Sequence, residues 1–128
     1  MEKPEYMSAF SDTLFPRENR LTQGAEFDLV FKKANRSSDR FFTVLYRQNS
    51  LPSARLGMAI AKKRINKATS RNRLKRLVRE SFRRSKEKLS GVDIVIMARS
   101  TADETNNQIL FNSLEGHWQK IAQDNKRN

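Results

Sequence analysis

One segment of this 128-residue chain, residues 62–88, concentrates the positive charge and also carries apolar residues at helical spacing. The segment holds 13 Lys and Arg against two Asp and Glu, a net charge of +11, whereas the other 101 residues hold 13 basic and 12 acidic side chains. The stripe predicted to be buried comprises Leu74, Leu77, Val78, Ser81, Phe82 and Leu89. This spacing predicts an amphipathic helix from about residue 69 to about residue 88, which Ser90 and a left-handed Gly91 would end.

The helix face opposite this stripe is almost entirely cationic. A rotation of about 100° per residue places there Lys75, Lys86, Arg79, Asn72, Arg83 and Arg76. Solvated faces ordinarily mix charges of both signs, because like charges one turn apart repel each other. Guanidinium groups also match the geometry of phosphate oxygens. The face therefore favours binding of a polyanion, such as nucleic acid, over a face that is merely solvated.

Patterns on either side of the basic segment predict the remaining elements of one domain. We predict helices over residues 22–35 and 105–123, a turn over 36–39, and strands over 40–47, 55–61 and 92–98. The order α-β-β-α-β-α predicts an α+β fold, a compact sandwich with helices packed on a short sheet. We expect a single domain over residues 17–124, a flexible N-terminal extension over 1–16, and a C-terminal tail over 125–128.

The composition excludes several kinds of catalytic and metal site. The chain has no cysteine, and its one histidine, His117, has no second histidine at ligand spacing. We find no nucleophile elbow, no Gly-rich phosphate loop and no acidic cluster of the kind that two-metal nucleases use. The sequence therefore predicts no catalytic residue and no bound metal. It also shows no signal peptide and no apolar run of about 20 residues, so we expect a cytoplasmic protein that does not contact a membrane.

Phe27 and Phe31 lie one turn apart on the first predicted helix. Aromatic residues at this spacing belong most often to a core. When they are partly exposed beside a basic rim, however, aromatic side chains serve as stacking platforms for single-stranded bases. The residues themselves favour the core interpretation.

The run Arg-Asn-Arg-Leu-Lys-Arg-Leu-Val-Arg-Glu-Ser-Phe-Arg over residues 71–83 resembles the signature of the bacterial ribonuclease P protein subunit. Other segments resemble the family in the same order, namely Asn19-Arg20-Leu21, Phe27 with Phe31, Arg55-Leu56-Gly57, Lys62-Lys63, and residues 93–99. The resemblance covers about residues 17–121. It implies a fold similar to the second domain of ribosomal protein S5, with a left-handed βαβ crossover that no sequence rule would predict.

The resemblance also implies a function in tRNA maturation. In this family a large catalytic RNA, with bound Mg²⁺, cuts precursor tRNA endonucleolytically at the mature 5′ end. The protein subunit holds that RNA and contacts the single-stranded 5′ leader, and we expect one monomer of it per RNA. The alternative is a ribosomal or other structural RNA-binding protein of similar fold.

Positions carried over from the family define two expected contact surfaces. Those expected to contact the catalytic RNA are Lys62, Lys63, Arg71, Asn72, Arg73, Lys75, Arg76, Arg79 and Arg83. Those expected to line the cleft for the leader are Phe27, Phe31, Thr43, Leu45, Ala59 and Lys63. The register of the cleft strand stays open. Either Phe41, Thr43 and Leu45 face the cleft, or a slip of one residue places Phe42, Val44 and Tyr46 there instead.

Overall fold

The structure, a computed structural model, describes residue 20 and residues 30–127, and its sheet and helices confirm the α+β class. Its strands are β1 (Asn35–Ser38), β2 (Phe42–Gln48), β3 (Arg55–Ala59) and β4 (Val92–Ala98). Its helices are Ala68–Ser85, here called the basic helix, and Asn107–Arg127, here called the C-terminal helix. Residues 30–33 are also helical, and a 3-10 turn spans Ser100–Ala102.

The strands form one mixed sheet in the order β1-β2-β4-β3. β2 pairs antiparallel with both β1 and β4, whereas β3 and β4 pair in parallel. Parallel neighbours need a crossover connection, and the basic helix supplies it between β3 and β4. Arg20 forms an isolated parallel bridge to Leu56 on β3. The crossover is therefore a βαβ unit, and its left-handedness stays a prediction.

The main core lies between one face of the sheet and the two long helices. Phe42, Val44 and Tyr46 of β2 belong to this core. All six residues of the predicted stripe are buried, which confirms that side of the basic helix. At the centre, the indole N–H of Trp118 donates a hydrogen bond to the Ser81 hydroxyl, with 2.8 Å between the nitrogen and the oxygen. This bond explains how a serine can lie fully buried in the stripe.

The opposite face of the sheet carries a second, smaller apolar cluster. Leu45 and Val95 pack there against Val30 of the helical residues 30–33, with Ala59 half-buried beside them. Because side chains alternate along a strand, Thr43 shares this face with Leu45. The open question of register is therefore answered: Thr43 and Leu45 face the second cluster, and Phe42, Val44 and Tyr46 face the main core. Phe41 does not follow Thr43 and Leu45, because it precedes β2 and packs against the main core.

The predicted turn over residues 36–39 was wrong in large part, because Asn35–Ser38 forms strand β1. Its sequence has little preference for a strand, and Ser37 is its single buried residue. The Ser37 hydroxyl hydrogen-bonds to Nδ1 of His117 at 2.6 Å. Pairing with the free edge of β2 and this bond to the C-terminal helix outweigh the local preference.

Several predicted boundaries move by a few residues. β2 begins at residue 42 rather than 40, because the Asp39 carboxylate accepts hydrogen bonds from the amides of Phe41 and Phe42 in a turn. The C-terminal helix begins at residue 107 because Asn106 caps it, its side chain accepting from the Ile109 amide at 3.0 Å. That helix runs to residue 127, β3 ends at residue 59, and the basic helix ends at residue 85.

Gly91 has a positive φ of 82°, as its place after the basic helix predicted. We expect Gly91→Ala to lower the free energy of unfolding by about 1–2 kcal/mol, because an L side chain is disfavoured in this conformation. The added Cβ would meet the Leu51 carbonyl at an ordinary 3.5 Å, so the cost is backbone strain. Urea denaturation measures it, with Gly91→Asn as a milder control. An alanine variant as stable as the parent chain would contradict this assignment.

Candidate nucleic-acid interface

The exposed cations of residues 62–88 lie in the turn after β3, along the outer side of the basic helix and in the turn that follows it. Those that are exposed are Lys62, Lys63, Arg64, Lys67, Arg76, Arg83, Arg84 and Lys88, and Asn72 is exposed among them. They come from consecutive segments of one βαβ unit, the turn after β3, the basic helix and the turn that follows this helix. This concentration of like charge creates a field that attracts an extended polyanion.

Arg76 and Arg79 mark the middle of this surface. Arg76 is exposed, whereas its neighbour Leu77 is buried in the main core. Burial, and after it the charge of Arg76, lower the pKa of the half-buried Arg79 guanidinium below its usual value. The two guanidinium groups therefore repel each other in the free protein. A bound phosphate would relieve that repulsion.

Arg71 and Lys75 do not lie on the exposed surface, which corrects the helical-wheel placement of Lys75. Their side chains are 6% and 3% exposed. Nη1 of Arg71 donates to the carbonyls of Ile65 and Asn66, at 3.0 and 2.9 Å. Arg71 lies within the apolar stripe and Lys75 at its border, where long aliphatic stems pack and only the head group is polar. The buried face is therefore wider than its apolar residues alone indicate.

Arg73 is half-buried and holds the connection between β4 and the C-terminal helix. Its guanidinium donates to the carbonyls of Ala102 and Asp103, at 3.3 and 2.8 Å. Nη1 also donates to the carbonyl of Thr105 at 3.2 Å and to the side-chain oxygen of Asn107 at 2.6 Å. The arginines of the Arg-Asn-Arg run thus fasten two loops to the basic helix, and Asn72 between them faces outward.

Arg83 is exposed, but a carboxylate on the same helix compensates its charge. Nη2 and Nε of Arg83 donate to the two carboxylate oxygens of Glu80, at 2.5 and 3.3 Å. Nε of Arg84 lies 3.6 Å from the same carboxylate, one turn along the helix. The hydrogen bond from Arg83 lowers the pKa of Glu80, so this group stays ionised. Exposed pairs of this kind contribute little to stability, and they reduce the charge that Arg83 offers a partner.

The sheet face that carries the second cluster holds three of the six residues expected to line the leader cleft. Thr43, Leu45 and Ala59 lie on one face of the sheet, and Phe31 follows Val30, which packs there. The Phe31 side chain is 47% exposed. Lys63 is exposed in the turn that follows β3. Phe27 lies outside the described residues.

Charged residues at one end of this sheet face were missed by the sequence reasoning. Arg47, Asp93 and Arg55 are cross-strand neighbours on β2, β4 and β3. Nε and Nη2 of Arg55 donate to the two oxygens of Asp93, at 2.8 and 2.7 Å. The side chain of Asn49 also donates to Asp93 at 2.8 Å, so this carboxylate has a structural role. The alternation of side chains on β2 could have placed Arg47 beside Leu45.

Among residue 20 and residues 30–127, no group of three or more His, Asp or Glu side chains is arranged to hold a metal ion. Within the same residues, neither long helix is sufficiently apolar over its length to cross a membrane.

The sequence of this chain is similar to those of known proteins that share one description. The model of the family described as Ribonuclease P matches residues 15–122. The ribonuclease P protein component of Methylococcus capsulatus is 52% identical over 104 residues, which are 81% of this chain and 81% of that protein. The counterpart from Pseudoalteromonas atlantica is 45% identical over 108 residues, 84% of this chain and 90% of that protein.

Solved structures give the same result for the fold. An RNase P protein from Staphylococcus aureus superposes with a TM-score of 0.73 at 34% identity, covering 81% of this chain and 94% of that one. The RNase P protein from Thermotoga maritima superposes with a TM-score of 0.71 at 33% identity, covering 80% of this chain and 96% of that one.

Proposed function

The chain belongs to the ribonuclease P protein family, the protein components of a tRNA-processing ribonucleoprotein, and on that premise we propose how it acts. Its basic segment binds the catalytic RNA, and the sheet face with the second cluster contacts the single-stranded 5′ leader of precursor tRNA. One copy of the protein acts with one RNA, in the cytoplasm.

The observation that carries this proposal is the exposed cationic surface of residues 62–88. Lys62, Lys63 and Arg76 are exposed there, and none of the described carboxylates forms an ion pair with them within 4.0 Å. Cations without local counter-charges release bound counter-ions when they meet phosphates, which favours binding. Arg71 and Arg73 support the same surface indirectly, because they hold the adjoining loops in place.

The leader surface is supported by an exposed aromatic ring beside a sheet face with small side chains. Phe31 exposes about half of its surface, and such rings stack on unpaired bases. Gly57 and Ala59 lie on the same side of β3. Because both are small, the backbone of a bound strand can approach the sheet closely there. Arg47 adds a cation at one end of this face for the phosphates of an extended strand.

We assign the cleavage chemistry to the RNA. The described residues offer no acidic cluster, and they do not fit a Mg²⁺ site of the kind that would hold the ion by protein carboxylates. We propose that Mg²⁺ acts at the RNA and its substrate, as the resemblance to the family implies. The side chains of this protein contribute binding, orientation and screening of phosphate charge.

We expect the purified protein alone to leave precursor tRNA uncut, and the protein with its RNA to cut at a lower Mg²⁺ concentration than the RNA alone. The reason is that lysine and arginine replace part of the counter-ion screening that the folded RNA needs. A cleavage assay across Mg²⁺ concentrations, with protein, RNA and both together, measures this. Cleavage by the protein alone, or co-purification with ribosomal RNA in place of one large catalytic RNA, would contradict the proposal.

A further inference from the structure

A groove of about 230 Å³ lies where the basic helix meets the C-terminal helix. It is lined by Arg73, Arg76, Leu77, Glu80, Asn107 and Phe111. Pockets for drug-sized ligands usually have roughly 300–1,000 Å³, so this groove suits a single ring system. Neither expected contact surface gives this groove a role, although Arg73 and Arg76 belong to both the groove and the RNA-binding surface.

The groove combines an aromatic floor with a cationic rim. Phe111 is half-buried and packs against the main core beside the buried Leu77. Arg84 does not line the groove, but its guanidinium carbon lies 5.7 Å from the centre of the Phe111 ring. Arg76 is exposed at the rim. Aromatic rings and planar guanidinium groups are the surfaces on which unpaired bases stack.

Besides the arginines, the rim provides a carboxylate acceptor and an amide donor. The Glu80 carboxylate is ionised and can only accept. The side-chain oxygen of Asn107 accepts a hydrogen bond from Arg73 at 2.6 Å. The amide nitrogen of Asn107 is therefore the group that can donate to a ligand. A nucleobase edge presents donors and acceptors of both kinds. A phosphate, by contrast, is repelled by Glu80, so it would lie towards Arg76.

We propose that this groove takes one unpaired nucleotide of the catalytic RNA, with its base stacked on Phe111 and its phosphate beside Arg76. The inference rests on the proposed function and adds a second mode of contact to it, namely stacking at a defined position. An acidic peptide is a poorer occupant, because its carboxylates would engage Arg76 and leave the ring of Phe111 without a stacking partner.

The first test compares two half-buried phenylalanines that each have an arginine over the ring. Phe111→Leu removes the ring of the groove, and Phe41→Leu removes a ring that packs on the main core outside the groove, with Arg40 at 5.5 Å. We expect Phe111→Leu to weaken binding of the full chain to the catalytic RNA about tenfold, with an unchanged salt dependence. Phe41→Leu should stay within about twofold. Thermal unfolding of both variants verifies that they fold.

The second test needs no variant. Ultraviolet crosslinking of the parent chain with the catalytic RNA, followed by proteolysis and mass spectrometry, should attach a nucleotide to the peptide that contains Phe111. Absence of that crosslink, together with unchanged affinity of Phe111→Leu, would overturn the proposal while leaving the proposed function intact. Failure of the parent chain to bind the RNA would instead refute the proposed function. If Phe111→Leu does not fold, the crosslink alone decides.

Discussion

Replacement of Trp118 by alanine is expected to lower the free energy of unfolding by about 3–5 kcal/mol. The side chain is 0% exposed, and its ring meets Phe82 edge-on with 6.1 Å between ring centres. Its indole N–H also satisfies the buried Ser81 hydroxyl. Alanine would leave a cavity between helices and sheet, and a hydroxyl without its partner. The total free energy of unfolding of a domain of this size is about 5–15 kcal/mol, so this loss is a large part of it.

The Trp118→Phe variant separates packing from hydrogen bonding. It keeps an aromatic ring in the same space but lacks the N–H donor, so we expect a cost of about 1–3 kcal/mol from the unpaired hydroxyl and the smaller ring. Trp118 is the one tryptophan of the chain, so unfolding in urea should be followed by circular dichroism rather than by fluorescence. An alanine variant that loses less than about 1 kcal/mol would contradict the central position of this side chain.

The apolar spacing of the basic helix predicted its buried side correctly, because periodic apolar residues directly record which face avoids water. Strand β1 could not be found in this way. Its sequence, Asn-Arg-Ser-Ser, carries no apolar period, and it becomes a strand through pairing with β2 and through the contact from Ser37 to His117. Those partners are distant in the chain, so a local pattern holds no trace of them.

The different roles of the arginines in the site likewise depend on partners that are distant in the chain. Spacing alone identified a cationic helix face, and Arg76 lies there as expected. The roles of Arg71 and Arg73 depend on loop carbonyls that tertiary packing brings close. One of these carbonyls belongs to Asp103, 30 residues after Arg73 in the chain. A count of charges treats all arginines alike. The structure separates those that hold loops from those that face a partner.

This separation predicts which cations matter most for binding RNA. The double variant Lys63→Gln/Arg76→Gln removes two exposed positive charges, one from the turn after β3 and one from the basic helix. If each contacts one phosphate, each contributes about 0.7–0.9 to the slope of log affinity against log salt. We therefore expect an affinity for the catalytic RNA about 15- to 30-fold lower at about 0.15 M salt.

The salt dependence tests the cause of this loss. Engagement of about five phosphates gives the parent chain a slope of roughly −3.5 to −4.5, and the double variant should make it shallower by about 1.4–1.8. The matched control is Lys120→Gln/Lys126→Gln, which removes the same charge from exposed positions on the C-terminal helix. We expect its affinity to stay within about twofold, because these side chains lie outside residues 62–88. Equal losses in the two double variants would show that net charge, and not a located surface, carries the binding.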